Sequence, residues 1–296
     1  MINRKAGINL EKAIRKWFPL FLLPTLAAFV LSFVVPFIMG FVLSFCKFRL
    51  VTDAEWQGLE GYKYIFEDPK NSFVEAFKFT TTFTIVAVIL INVFAFVLAN
   101  LLTKRLKGTN FFRAIFFMPN LIGGIVLGYT WKILIDGILA VVVEEGVFLS
   151  SNATYGFWGL TALMCWQMIG YMMVIYIAGI QNIPLELVEA AKIDGASKGQ
   201  ILKNVTIPMI MPSITICLFL TISNCFKLYD QNLALTGGEP MRQTAMLALD
   251  ITLTGNNTMS AFMQGVAQSK AVLFFFIVGI ISFIQLCATR KREVQS

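Results

Sequence analysis

Residues 79–103 read FTTTFTIVAVILINVFAFVLANLLT, and the positions that follow are Lys104, Arg105, Leu106 and Lys107. The quoted stretch contains no Asp, Glu, Lys or Arg. A helix rising about 1.5 Å per residue needs about 20 apolar residues to cross roughly 30 Å of hydrocarbon, and this run supplies them. It is too long for a barrel strand, and in lipid a lone helix satisfies its own backbone groups. Working outward, charge-free runs recur at residues 17–46, 114–131, 146–185, 204–226 and 271–289. Membrane helices are therefore expected at residues 20–45, 79–102, 114–135, 157–180, 207–226 and 271–288. The fold class is all-α: a polytopic membrane protein with about six transmembrane helices.

Composition agrees with that reading. Of 296 residues, 57% are hydrophobic and 14% charged, with a mean hydropathy of +0.74, which is too apolar for an ordinary soluble domain. The net charge of +7 forms no nucleic-acid patch, because the basic residues collect between the apolar runs. Short segments at residues 4–16, 104–113, 192–203 and 290–292 hold 15 of the 24 Lys and Arg. By the positive-inside rule these segments face the cytoplasm, and both termini lie there. This divides the chain into a cytoplasmic segment (1–19), a transmembrane domain (20–288) and a cytoplasmic tail (289–296). The first run, with Pro24 and Pro36 inside it, is too long for a signal-peptide core and is read as the first span. Five cysteines lack CxxC spacing and histidine is absent, so neither a metal nor a disulfide is expected. Trp56, Tyr62, Trp131 and Trp158 fit interfacial anchoring.

Polar side chains inside a span are costly unless they face a bundle interior or a water-filled path. In the fourth span Met164, Gln167, Met168 and Tyr171 recur at i, i+3, i+4 and i+7. At the end of the fifth, Ser223, Asn224, Lys227 and Gln231 make a comparable stripe, with Asp230 placed to pair with Lys227. Amides exchange hydrogen bonds with hydroxyl groups, and an aromatic ring covers the apolar face of a pyranose. Two such faces suit a sugar path; they suit interhelical hydrogen bonding as well.

Between those spans lies the loop at residues 183–208. Pro184 can open a helix, Glu186 and Glu189 favour its positive end, and Gly195 can stop it in a left-handed conformation. Leu185, Val188 and Lys192 share one side. Read from its residues alone, the segment suits an amphipathic linker on the membrane surface equally well.

The order Glu189-Ala190-Ala191, Asp194-Gly195-Ala196 and then Pro208 resembles the EAA loop of ABC importer permeases. The run from Phe112 to Asn120, the tetrapeptide Gly237-Gly238-Glu239-Pro240 and the segment Gly265-Val266-Ala267 are similar to the carbohydrate-importer branch, of the maltose-type F subunit. Gly199 and Leu202 depart from it, standing where relatives usually carry bulky aromatics. The resemblance implies that the loop is a cytoplasmic coupling helix docking into an ATPase cleft, with Glu189, Ala190, Ala191, Asp194 and Gly195 carrying the coupling. It implies as partners two ATP-binding subunits, a second permease and an extracellular solute-binding protein. It also implies that Gln167, Tyr171 and Asn224 line a sugar site, to which the two stripes add Met168, Ser223 and Lys227.

The chain has no GxxxxGK[ST] loop and should not hydrolyse ATP itself; no cofactor is expected, and it is a transport subunit, not an enzyme. Lys227 leaves room for a polyol phosphate as cargo. An ion-coupled secondary transporter would often bury charges within its spans, and the charge-free runs hold none.

Overall fold

The computed structural model describes residues 4–67, 72–104, 108–143, 146–256 and 260–290. Arg105, Lys107, Lys291 and Arg292 of the basic segments, and the tail beyond Arg290, lie outside them. Almost everything described is helical, and the helices divide into membrane-length spans and short elements that position them.

The first span, α1 (Trp17–Leu43), continues a helix that starts at Arg4. Pro36 has no N–H to offer the preceding turn, and the helix widens to a π segment at Val30–Val34 just before it. None of α1's most apolar stretch is buried. It touches the rest near its C-terminal end, where Phe37 meets Phe275 at 4.7 Å between ring centroids. A two-residue antiparallel pair, β1 (Cys46–Lys47) with β2 (Glu55–Trp56), and a short helix α2 (Glu60–Glu67) follow.

The packed centre is α3 (Ser72–Leu102) against α6 (Ala153–Gln181). Ala87, Ile91, Ala95 and Ala99 recur every fourth residue along α3 and are fully buried. This narrow stripe lets α6 approach closely, as small residues do where lipid supplies no hydrophobic drive between helices. Leu160, Leu163, Met172 and Met173 fill the space from α6.

Three spans differ from the expectation. Residues 114–135 do not form one helix: α4 (Thr109–Phe117) ends in a 3-10 turn at Met118–Leu121, and α5 (Gly124–Val142) begins after it. Pro119 and extended backbone at Ile122 and Gly123 make the break. The fifth span starts early, as α8 (Lys198–Met209), and bends by 70° into α9 (Met211–Phe226). Pro208 and Pro212 flank the bend and withdraw two helical donors. The last span, which follows α10 (Asp230–Leu235) and α11 (Leu247–Gly255), is α12 (Ala261–Arg290), so Lys270 lies inside the helix that was expected to begin after it.

Lys270 does not end that helix because its charge is matched. Its Nζ lies 2.7 Å from Asp250 Oδ2 on α11 and donates to Thr254 at 2.9 Å. Asp250 also accepts from Ser72 at the start of α3 and lies 3.7 Å from Arg242. This cluster joins α3, α11 and α12. The turn from α10 to α11 is held by Asn232, whose side chain donates to Thr236 Oγ1 and the Thr244 carbonyl and accepts from the Met246 amide, all at 2.9 Å. Met241 and Arg242 sit there at φ of 47° and 63°, where non-glycine residues are uncommon.

Candidate functional site

A polar cavity of about 670 Å³ opens where α6, α9 and α10 meet the 3-10 turn after α4. From α6 come Met164, Gln167, Met168 and Tyr171, the four residues grouped by helical spacing. From the end of α9 come Leu220, Asn224 and Lys227, and from the first turn of α10 come Asp230 and Gln231. Ser223 is not on the wall: it lies half-buried one position away from Asn224, about 100° around the helix. Asn120, Leu228 and Tyr229 complete the lining.

Each wall has an identifiable support. On α6, Gln167 is 7% exposed, with both ends of its amide hydrogen-bonded. Its Nε2 donates to the Ile122 carbonyl at 3.3 Å, and its Oε1 accepts from Gln231 Nε2 at 2.8 Å. Tyr171 is half-buried, with Phe117 edge-on behind it at 6.3 Å. Between them Gly170 lies against the Phe116 carbonyl, where any Cβ would collide with backbone. That missing side chain lets the Pro119-Asn120 turn sit on α6 and brings Asn120 to the cavity.

The α10 wall depends on two other glycines. A Cβ on Gly124 would sit 2.7 Å from Asp230 Cβ, and one on Gly128 would sit 2.6 Å from Ala234 Cβ. Gly124-x-x-x-Gly128 is thus a close-packing face for α10, of the small-xxx-small kind. That spacing was legible and points to the element that brings Gln231 inward. Asn120 carries no comparable signal, because it enters through a turn that hydropathy alone reads as mid-span.

The expected pair between Lys227 and Asp230 does not form; among the described residues neither takes part in an ion pair. Lys227 caps the end of α9 and the chain turns at Leu228 before α10 starts, so the i, i+3 spacing does not fall on one helix. Both charges stay exposed on the cavity wall. The surface therefore offers amides, phenols, thioethers and one charge of each sign.

Away from the cavity, α7 (Leu185–Ile193) carries the Glu189-Ala190-Ala191 sequence. Gly195 adopts φ +76°. The Ala196 amide donates to the Ala191 carbonyl at 2.9 Å and the Gly195 amide to that of Lys192 at 3.1 Å, the paired bonds of a Schellman stop. Ser197 and Gln200 then form a capping box that starts α8. The packing edge of α7 is Val188 and Ala191, which are half-buried; Leu185 and Lys192, expected on that edge, are exposed. Leu185 is 73% and Ile193 86% exposed, and Glu189, Ala190, Asp194 and Gly195 are exposed with them. Gly199 has open space where a Cβ would project.

The probable starch degradation products transport system permease protein AmyD of Thermoanaerobacterium thermosulfurigenes is 41% identical over 285 residues, covering 94% of this chain and 96% of that protein. The multiple sugar-binding transport system permease protein MsmF of Streptococcus mutans is 30% identical over 295 residues, covering 97% and 100%. A chain from a crystal structure of a bacterial ABC transporter importing the acidic polysaccharide alginate superimposes with a TM-score of 0.77. At 20% identity over 96% of this chain and 99% of that one, it shows the shared fold. Residues 109–290, well over half the chain, match the family described as binding-protein-dependent transport system inner membrane component, and the chain belongs to that family.

Proposed function

We propose that this chain is a membrane-spanning permease subunit of an ATP-driven, binding-protein-dependent sugar importer. The observation that carries the cargo assignment is the cavity wall, where Gln167, Met168 and Tyr171 of α6 face Asn224 and Lys227 of α9. Neutral amides and phenols dominate it, and its two charges have opposite signs, which suits a neutral polyhydroxy ligand. The names of the relatives, one tied to starch degradation products and one to multiple sugars, support the same cargo.

The subunit supplies the path and other chains supply the energy. Two ATP-binding subunits, a second permease and an extracellular solute-binding protein complete the importer. The binding protein delivers sugar to an outward-open cavity. ATP binding and hydrolysis in the partner then drive closure and inward opening, each step drawing on a ligand or nucleotide that favours one state. Exposed α7, with Glu189, Ala190, Ala191, Asp194 and Gly195, seats in the ATPase and transmits its motion. The basic segments support an orientation with both termini in the cytoplasm.

Lys227 favours a second cargo, a polyol phosphate, because its ammonium faces the cavity without a carboxylate partner. Uptake by the assembled importer from a panel of neutral saccharides and glycerol phosphates separates the two readings. Saturable, ATP-dependent import of a neutral sugar supports the first, and import confined to the phosphates replaces it with the second.

A further inference from the structure

We infer that Gln231 is a positioning residue that holds the Gln167 amide in the polarity set by the Ile122 carbonyl, so that Gln167 offers the cargo a hydrogen-bond donor. The inference rests on the reading of the cavity as the sugar path and adds a residue that acts through another.

The argument starts at a backbone carbonyl. Ile122 O can only accept, so the group that Gln167 turns toward it at 3.3 Å is its Nε2. The Gln167 Oε1 then faces α10 and requires a donor, which Gln231 Nε2 provides at 2.8 Å. Polarity therefore runs one way, from Gln231 through Gln167 to Ile122. Of the two Nε2 hydrogens on Gln167, one is used by Ile122 and the other has no partner among the described residues. Gln167 is buried except toward the cavity that it lines, and that hydrogen is what it can give to a hydroxyl oxygen.

Gln231 is itself held in place. Its amide lies over the Gly124 backbone, where a Cβ would stand 2.9 Å from Gln231 Cδ. Ala234, one turn on, seats on Gly128. The side chain that orients Gln167 is thus fixed by the packing of α10 on α5, and one unit carries both glutamines. A residue that met the cargo directly would contribute independently of Gln167; a positioning residue contributes only while Gln167 is present.

A double-mutant cycle decides between these, using the complete importer in proteoliposomes and the most rapidly imported member of a panel of neutral mono- to tetrasaccharides. Gln231→Met keeps length and apolar volume and removes the donor. It is expected to lower sugar imported per ATP hydrolysed about three- to tenfold, the scale of one hydrogen bond. In a Gln167→Ala background the same change is expected to have no further effect. Losses that multiply, or no loss from Gln231→Met alone, would overturn the inference. Thermal unfolding of the same four complexes reads the bond without reference to cargo. Sub-additive destabilisation supports it and additive destabilisation overturns it, even where an importer that takes up no sugar has refuted the functional reading.

Discussion

At the scale of single residues, the cavity and the buried ion pair ask different things of their side chains. Gln167→Ala and Tyr171→Ala remove groups that line the cavity wall. Each is expected to reduce sugar uptake tenfold or more while the subunits still co-purify, as measured by uptake in proteoliposomes beside gel filtration of the complex. Asp250 and Lys270 are 0% and 3% exposed, and neither can be left alone. Lys270→Met strands a carboxylate with only the half-exposed Arg242 as a distant counter-ion. It should destabilise the subunit by about 3–5 kcal/mol, whereas Lys270→Met with Asp250→Leu should recover most of that loss, read by thermal unfolding in mild detergent. Much of the cavity wall was legible here. Met164, Gln167, Met168 and Tyr171 announce a shared face because polar groups at helical spacing have few other uses in a span. Ser223 was misplaced because residues one apart in a stripe are 100° apart on the helix. Lys270 was misread as an end of hydrophobic sequence, since its partner lies 20 residues away on another helix.

Among elements, the decisive features are breaks. Proline and glycine divide α4 from α5 and bend α8 against α9, and hydropathy averaged over either stretch still resembles a single span. Charge-free runs report which residues avoid water; they do not report where the chain turns inside the bundle. The glycines carry that information, through what packs on them. Gly170→Ala would drive a methyl group into the Phe116 carbonyl. It should displace the turn bearing Asn120, with uptake reduced at least tenfold and α6 helicity retained. Comparing uptake with hydrogen exchange over residues 114–122 tests this. The loop at residues 183–208 was the most legible element, because helix start, acidic first turn and glycine stop are all local chemistry. Gly195→Pro asks for a φ near −65° where the chain adopts +76°, and Glu189→Lys inverts a charge on the exposed face. Either should separate ATP hydrolysis from transport or detach the ATPase. The check is ATPase activity recovered with the tagged subunit, and normal, coupled uptake in both variants would refute the role of α7.

Taken whole, the molecule leaves much of its apolar surface uncovered. Large apolar side chains stay exposed along α1, α3, α5 and α12, as a bilayer or a neighbouring subunit requires. The polar cavity and the exposed α7 lie on separate elements joined through the bent α8 and α9. The family to which the chain belongs is described as a component of a binding-protein-dependent transport system. The most direct test of the central claim is sugar uptake by the tagged subunit isolated from mild detergent with its co-purifying chains, reconstituted with ATP inside and a loaded binding protein outside. The account predicts that an ATPase is recovered with it, that loaded binding protein stimulates hydrolysis, and that labelled sugar accumulates only when ATP is present. A chain that purifies alone and passes sugar without ATP would contradict it.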